Sequence, residues 1–227
     1  RSSDLIAHVS GIPVRIDLRW FLVFAFMSVA TAANLSGSRM IDSFPVALAF
    51  GAVTTLILFA SILFHEYGHS FIARREGVEV LEIVLHPFGG LARFHHEPKT
   101  PRAEFRIAIA GPIASFVLAI AFVAIGVALT SADLTILATI AFFLGLWNFL
   151  LAVFNLLPGY PLDGGRVVRA YLWRRGTDLN EATVTTGRYG QIIAVTLIVV
   201  GVIFLLFSKD GYFSGFWTIV VGIFLFD

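Results

Sequence analysis

Apolar residues run along this chain in long stretches, interrupted by short polar segments rich in Arg, Gly and Pro. A helix needs roughly 20 apolar residues to cross a bilayer. Six segments come close to that length, at about 19–34, 46–73, 105–130, 134–157, 189–207 and 212–226. The last is short and aromatic, with Gly211 and Gly215 near its start, so its limits are the loosest. Pro45 and Pro112 fall near expected helix starts, where a missing N–H is tolerated. The stretch from Gly77 to Glu97 breaks the pattern. Val78, Val80, Ile83, Val84 and Leu85 are β-branched or apolar, and Pro87, Gly89 and Gly90 punctuate the run, which reads as a hairpin or looped strand. At membrane depth such backbone persists only where protein or a wet cavity satisfies its polar groups. The pattern predicts an all-α polytopic membrane protein. It has about six transmembrane helices, a small membrane-associated β hairpin after the second, and one domain over residues 1–227.

Composition agrees: the chain is 58% hydrophobic and 14% charged, with a mean hydropathy of +0.87, far from a soluble domain. Membrane lipid is therefore an expected partner. The net charge of +1 points to no nucleic-acid partner. With no cysteine, any metal must be held by nitrogen and oxygen. Basic residues orient the spans, because cytoplasmic loops retain Lys and Arg. Of the sixteen, only Arg39 and Lys209 fall on one side of six alternating spans; the other fourteen share the opposite side, predicted to be cytoplasmic with both termini.

The second span ends in His65-Glu66-Tyr67-Gly68-His69. Histidines at i and i+4 project from one helix face and can ligate one Zn²⁺, while the intervening Glu can take a proton from the attacking water. The motif is short, but its setting raises its weight, because each charged group in a membrane helix costs about 2.5–3.5 kcal/mol on insertion scales. His65 lies about 14 Å along the helix from Arg74, at roughly 1.5 Å per residue, so water must reach it through a cavity. Two histidines leave a tetrahedral zinc one protein ligand short. Asp163, in the Pro/Gly-rich turn after the fourth span and on the same predicted side, is the natural candidate; taken alone, Asp163-Gly164-Gly165 also reads as a plain turn.

The pair His65-Glu-x-x-His69 and Asn155-Leu-Leu-Pro-x-x-Pro-Leu-Asp163-Gly-Gly resembles the two signature motifs of the site-2 proteases, a family of intramembrane metalloproteases. Family-like features run from about residue 45 to 190. The resemblance implies that His65, His69 and Asp163 bind one zinc per chain, that Glu66 is the general base, and that Asn155 orients the substrate or stabilises the oxyanion. From the residues alone Asn155 reads as a helix C-cap. Phe88-Gly89-Gly90 resembles the family's membrane-associated β element and implies a substrate-binding role; a surface turn is the plainer reading. Ala110-Gly111-Pro112-Ile113-Ala114-Ser115 resembles a Gly-Pro motif on the third span, but Ser115 stands where many relatives have Asn. That departure leaves its side chain without a role, and Gly111 and Ser115 equally suit small-residue helix packing. Some relatives carry a C-terminal pair of CBS domains, and the stop at Asp227 would suit their removal.

The implied function is zinc-dependent cleavage of transmembrane protein substrates near the cytoplasmic side of the bilayer, as in regulated intramembrane proteolysis. Two rivals remain: a membrane metallohydrolase for lipid or prenylated substrates, and a zinc transporter. The first needs no strand beside the metal. The second needs ligands along a crossing path, whereas the polar residues here gather at one end. His86, His95 and His96 suit a polar interface loop better than a second metal site.

Overall fold

The computed structural model describes residues 3–86, 89–208 and 212–226. The elements in chain order are β1 (Ser3–Val9), β2 (Ile12–Asp17), α1 (Trp20–Gly37), α2 (Phe44–Arg75), β3 (Val80–His86), β4 (Gly89–Phe94), α3 (Pro101–Ser131), α4 (Thr135–Asn155), α5 (Asp163–Arg174), α6 (Leu179–Phe207) and α7 (Tyr212–Phe226). Helices α1, α2, α3, α4 and α6 are long and apolar enough to cross a membrane, and α7 is a shorter apolar helix. They correspond to the six expected segments. Two compact units are distinguished, Arg1–Pro98 with Ala110–Val153 and Lys99–Ile109 with Phe154–Asp227, and the boundary runs through α3.

In the first unit the expected hairpin is β3 and β4, but it belongs to a larger sheet of order β1-β2-β3-β4. β1 and β2 form an antiparallel hairpin, and β2 pairs in parallel with β3 through Val14↔Ile83, Arg15↔Val84 and Ile16↔Leu85. The tight turn between β1 and β2 has positive φ at Ser10 and Gly11, matching the twist of a hairpin. In β2 the apolar residues Ile12, Val14 and Ile16 alternate inward, packing with Ile83, Leu85, Trp20 and Phe59. Arg15 reaches Glu82 across the parallel pair at 2.9 Å. Asp17 ends β2 and accepts hydrogen bonds from the Arg19 backbone N–H (2.9 Å) and guanidinium, which hold its carboxyl down to about 2. That bracket turns the chain from sheet into α1.

The helices are apolar outside and small within. Leu22 and Ile120 are 73% and 70% exposed. Buried positions on α2 include Ala47, Gly51, Thr54, Thr55 and Ser61. Where the solvent is lipid, helices associate by close backbone approach rather than by burying oil in oil. Buried hydroxyls on α2 donate back to the helix's own carbonyls: Thr54 to Phe50 O (2.7 Å) and Thr55 to Gly51 O (2.8 Å). The Asn148 amide on α4 donates to Leu144 O (2.8 Å) and to Ser61 Oγ on α2 (3.2 Å).

Three expectations about boundaries change. Pro112 lies inside α3 rather than near its start. α3 instead begins at Pro101, capped by Thr100, whose Oγ1 accepts from the Ala103 N–H at 3.2 Å. α6 begins ten residues before the apolar run, at Leu179, because Asp178 caps it by accepting from the Asn180 N–H at 2.9 Å. The segment 157–188, read as loop, contains α5, a short amphipathic helix with no long apolar window.

Candidate metal centre

α2 carries His65, Glu66 and His69 as buried residues near its polar end. One helical turn stacks the two histidines, and their Nε2 atoms lie 3.2 Å apart. Two nitrogens on one tetrahedral zinc at about 2.0–2.1 Å would stand about 3.3 Å from each other. The pair is thus spaced for a shared ion.

α3 supplies the wall facing them. Gly111 lies directly opposite: a Cβ there would stand 2.2 Å from His69 Nε2 and 2.6 Å from His65 Nε2. Only a residue without a side chain leaves the nitrogens this room. One turn further, Ser115 is fully buried, and its hydroxyl meets His65 Nδ1 at 2.9 Å. Engaging Nδ1 leaves Nε2 to face an ion, the usual arrangement of an outer partner on a metal-binding imidazole. Ser115, left without a role by its sequence, thus has a contact suited to one. Ser115→Ala is expected to weaken zinc binding by about 10–100-fold in a chelator competition, with Ser115→Thr close to wild type.

Glu66 turns toward the sheet. Its Oε2 accepts the Ala92 backbone N–H of β4 at 3.1 Å. Its methylene and carboxyl lie on Gly90, where a Cβ would come within 2.3 Å of Glu66 Cγ. The resemblance implies a substrate-binding role for Gly90, and in this structure the neighbour that requires a glycine there is Glu66. Gly89 opens β4, and Phe88 lies outside the described residues.

In the second unit, Asp163 is the first residue of α5 and is buried. The turn before it is closed by Gly159 N–H to Leu157 O (2.8 Å), Tyr160 N–H to Thr186 O (3.1 Å) and Leu162 N–H to Gly159 O (3.0 Å). α5 is anchored by a buried ion pair in which Arg169 Nε donates to Glu104 Oε1 at 2.7 Å. Sequence reading gave neither residue a role. Asn155 is the last residue of α4. Away from these residues, His86 Nδ1 lies 3.7 Å from Asp17 Oδ2, and His95 and His96 have their rings 6.2 Å apart. Among the described residues these histidines join no group of three or more possible ligands.

The Rip3 protein of Mycobacterium tuberculosis is 37% identical over 229 residues, covering 100% of this chain and 57% of its own length. A zinc metalloprotease of Methanocaldococcus jannaschii is 31% identical over 212 residues, covering 91% of this chain and likewise 57% of its own length. This chain therefore spans little more than half of the curated relatives it matches. Among solved structures, a site-2 protease from Methanocaldococcus jannaschii is similar with a TM-score of 0.64 and 29% identity, covering 99% of this chain and 92% of that one. The family model for peptidase family M50 matches residues 53–135 and 129–200, more than half of the sequence, and with these motifs and this multi-span fold the chain belongs to that family.

Proposed function

We propose that this chain is the membrane-embedded catalytic part of a zinc-dependent endopeptidase that cuts transmembrane proteins near the cytoplasmic side of the bilayer. The observation that carries the reading is the pair of Nε2 atoms at 3.2 Å, with Glu66 between them in sequence and turned to a β strand. A strand beside the site favours a peptide substrate over a lipid or prenyl group, which has no backbone to pair with it.

His65 and His69 supply two ligands, and Asp163, buried at the start of α5, supplies the third. One zinc per chain follows from that donor set. Bound zinc provides Lewis acidity, polarising the scissile carbonyl and lowering the pKa of water toward about 7. Glu66 takes the proton of the attacking water and hands it to the leaving amine. Asn155 directs its amide at the substrate carbonyl, where negative charge develops. Metal analysis of purified Asp163→Ala tests the ligand set, with zinc expected well below one per chain. Undiminished zinc would remove Asp163 from it. Metal-dependent cleavage of a membrane-protein substrate in detergent, with lipid and prenylated substrates run alongside, tests the activity.

A transmembrane helix hides its peptide bonds in i to i−4 hydrogen bonds, so the substrate must unwind before it is cut. Its freed N–H and C=O groups cannot stay unpaired in an apolar setting. Addition as an extended strand to the outer edge of β4 replaces the lost bonds. Helix-breaking residues near the scissile bond should then speed cleavage, and a run of Leu should slow it.

The orientation rests on the fourteen-to-two division of basic residues. Because the chain has no cysteine, single cysteines can be introduced as probes. Labelling at Ser131 is expected from outside intact cells, and labelling at Thr177 only after the membrane is opened. The reverse pattern would move the site to the other face.

A further inference from the structure

β4 is the outer strand of the sheet, so one of its sides pairs with β3 and the other has no strand partner among the described residues. The register Leu85↔Gly90, Val84↔Leu91 and Ile83↔Ala92 is uninterrupted. In an antiparallel ladder, successive residues turn their N–H and C=O alternately toward the partner and away from it. The Ala92 N–H goes to Glu66 Oε2 at 3.1 Å. Gly90 and Ala92 therefore direct their backbone groups outward, and Gly89 and Leu91 direct theirs at β3. Glu66 lies over this outward pair, close enough that a Cβ on Gly90 would fall 2.3 Å from its Cγ. The edge where a substrate strand would join is already occupied by the side chain read as the base.

We propose that the Ala92 N–H is a donor used twice: it holds Glu66 in the free protein, then passes to a carbonyl oxygen of the incoming peptide, which releases Glu66 for the attacking water. The inference rests on the proteolytic, strand-adding reading above. One N–H carries one hydrogen and cannot serve both acceptors at full strength. A hydrogen bond to a carboxylate is roughly twice as strong as one between neutral groups. The exchange is therefore unfavourable by itself and must be driven by further backbone bonds, those to Gly90 first among them. A peptide too short to reach both Gly90 and Ala92 leaves Glu66 where it is. The edge thus couples recognition of an unwound strand to release of the base, and an amide that does not pair with β4 is disfavoured.

The test removes that one hydrogen. Replacing Ala92 in the full chain by lactic acid exchanges the backbone N–H for an ester oxygen and keeps the methyl group. Ala92→Pro is the second variant, because an edge strand tolerates proline. Each is assayed for bound zinc, for cleavage of a transmembrane substrate, and for cleavage of a capped dipeptide amide too short to pair with β4. Zinc should match wild type. For the long substrate KM should fall by up to about threefold with kcat not reduced, because no carboxylate bond has to be exchanged for a weaker one, and for the short one kcat/KM should rise about three- to tenfold, about the worth of one hydrogen bond. Unchanged kinetics on both substrates would overturn the proposal. So would a fall in kcat on both with KM unchanged, since the N–H would then only orient Glu66. A wild-type protein that cuts neither substrate would overturn the proteolytic reading and this inference with it, whereas a wild type that cuts by way of zinc and Glu66, beside an indifferent ester variant, overturns this inference alone.

Discussion

Glu66→Gln is expected to keep zinc bound and to lower cleavage of a membrane substrate by about 10²–10⁴-fold, the usual range for losing a positioned acid–base group. Gln is nearly the same shape, so it fits against Gly90, but it cannot take the proton of the attacking water. Its side-chain oxygen can still accept the Ala92 N–H now received by Glu66 Oε2 at 3.1 Å. The strand and the metal site should therefore stay in place while chemistry stops. Metal analysis beside a cleavage assay separates the two. His65→Ala and His69→Ala make the contrasting pair, because each removes an imidazole and should lose metal together with activity. If Glu66→Gln lost zinc as well, Glu66 would have a part in holding the site that its geometry gives no sign of.

The second large effect is expected on the opposite wall. Gly111→Ala adds one carbon, which would stand 2.2 Å from His69 Nε2 and 2.6 Å from His65 Nε2. No carbon and nitrogen outside a common bonded group coexist at that distance, so either the imidazoles leave their positions or α3 moves away. Both outcomes separate the two nitrogens from a shared ion. Zinc content is expected to fall to a small fraction of wild type, and Gly111→Val should be worse. Ile113→Ala is the control, since Ile113 lies two positions along the same helix with its side chain outward. It should bind zinc normally. Helix propensity predicts the opposite ranking, because Ala is the better helix former by about 1 kcal/mol. A Gly111→Ala protein that folds well and binds no metal would thus separate room for the ion from stability of the helix.

The structure also changes what a substitution at Gly90 means. A bulky residue there would stand in the way of an approaching substrate backbone, but its first collision is with Glu66 Cγ at 2.3 Å. Loss of turnover in Gly90→Val would therefore not distinguish a blocked edge from a displaced base. Exchanging the Ala92 N–H for an ester oxygen makes that distinction, because it adds no atoms.

How far the sequence alone could be read follows from the range of the interactions involved. The six apolar segments were legible because a bilayer imposes a length and a polarity on each span separately, without reference to the others. His65, Glu66 and His69 were legible because their spacing belongs to a single helix turn, and Asp163 because the motif around it is local. α5 was not, since a short amphipathic helix has no long apolar window and is held by Arg169 against Glu104, 65 positions apart. The β1–β2 hairpin left a signal in the alternation of Ile12, Val14 and Ile16, but its parallel partner β3 lies about 70 residues further on, beyond the reach of any local pattern. Gly111 and Ser115 looked like generic helix-packing residues. Only the tertiary structure decided otherwise, because their meaning depends on which neighbouring helix they face: room for two imidazoles in one case, a hydroxyl for His65 Nδ1 in the other. For this chain the sequence picked out the residues proposed for the chemistry and the apolar segments that carry them. Packing decided what holds them, because a side chain's partner across the fold is set by contacts between segments and not by the segment that carries it.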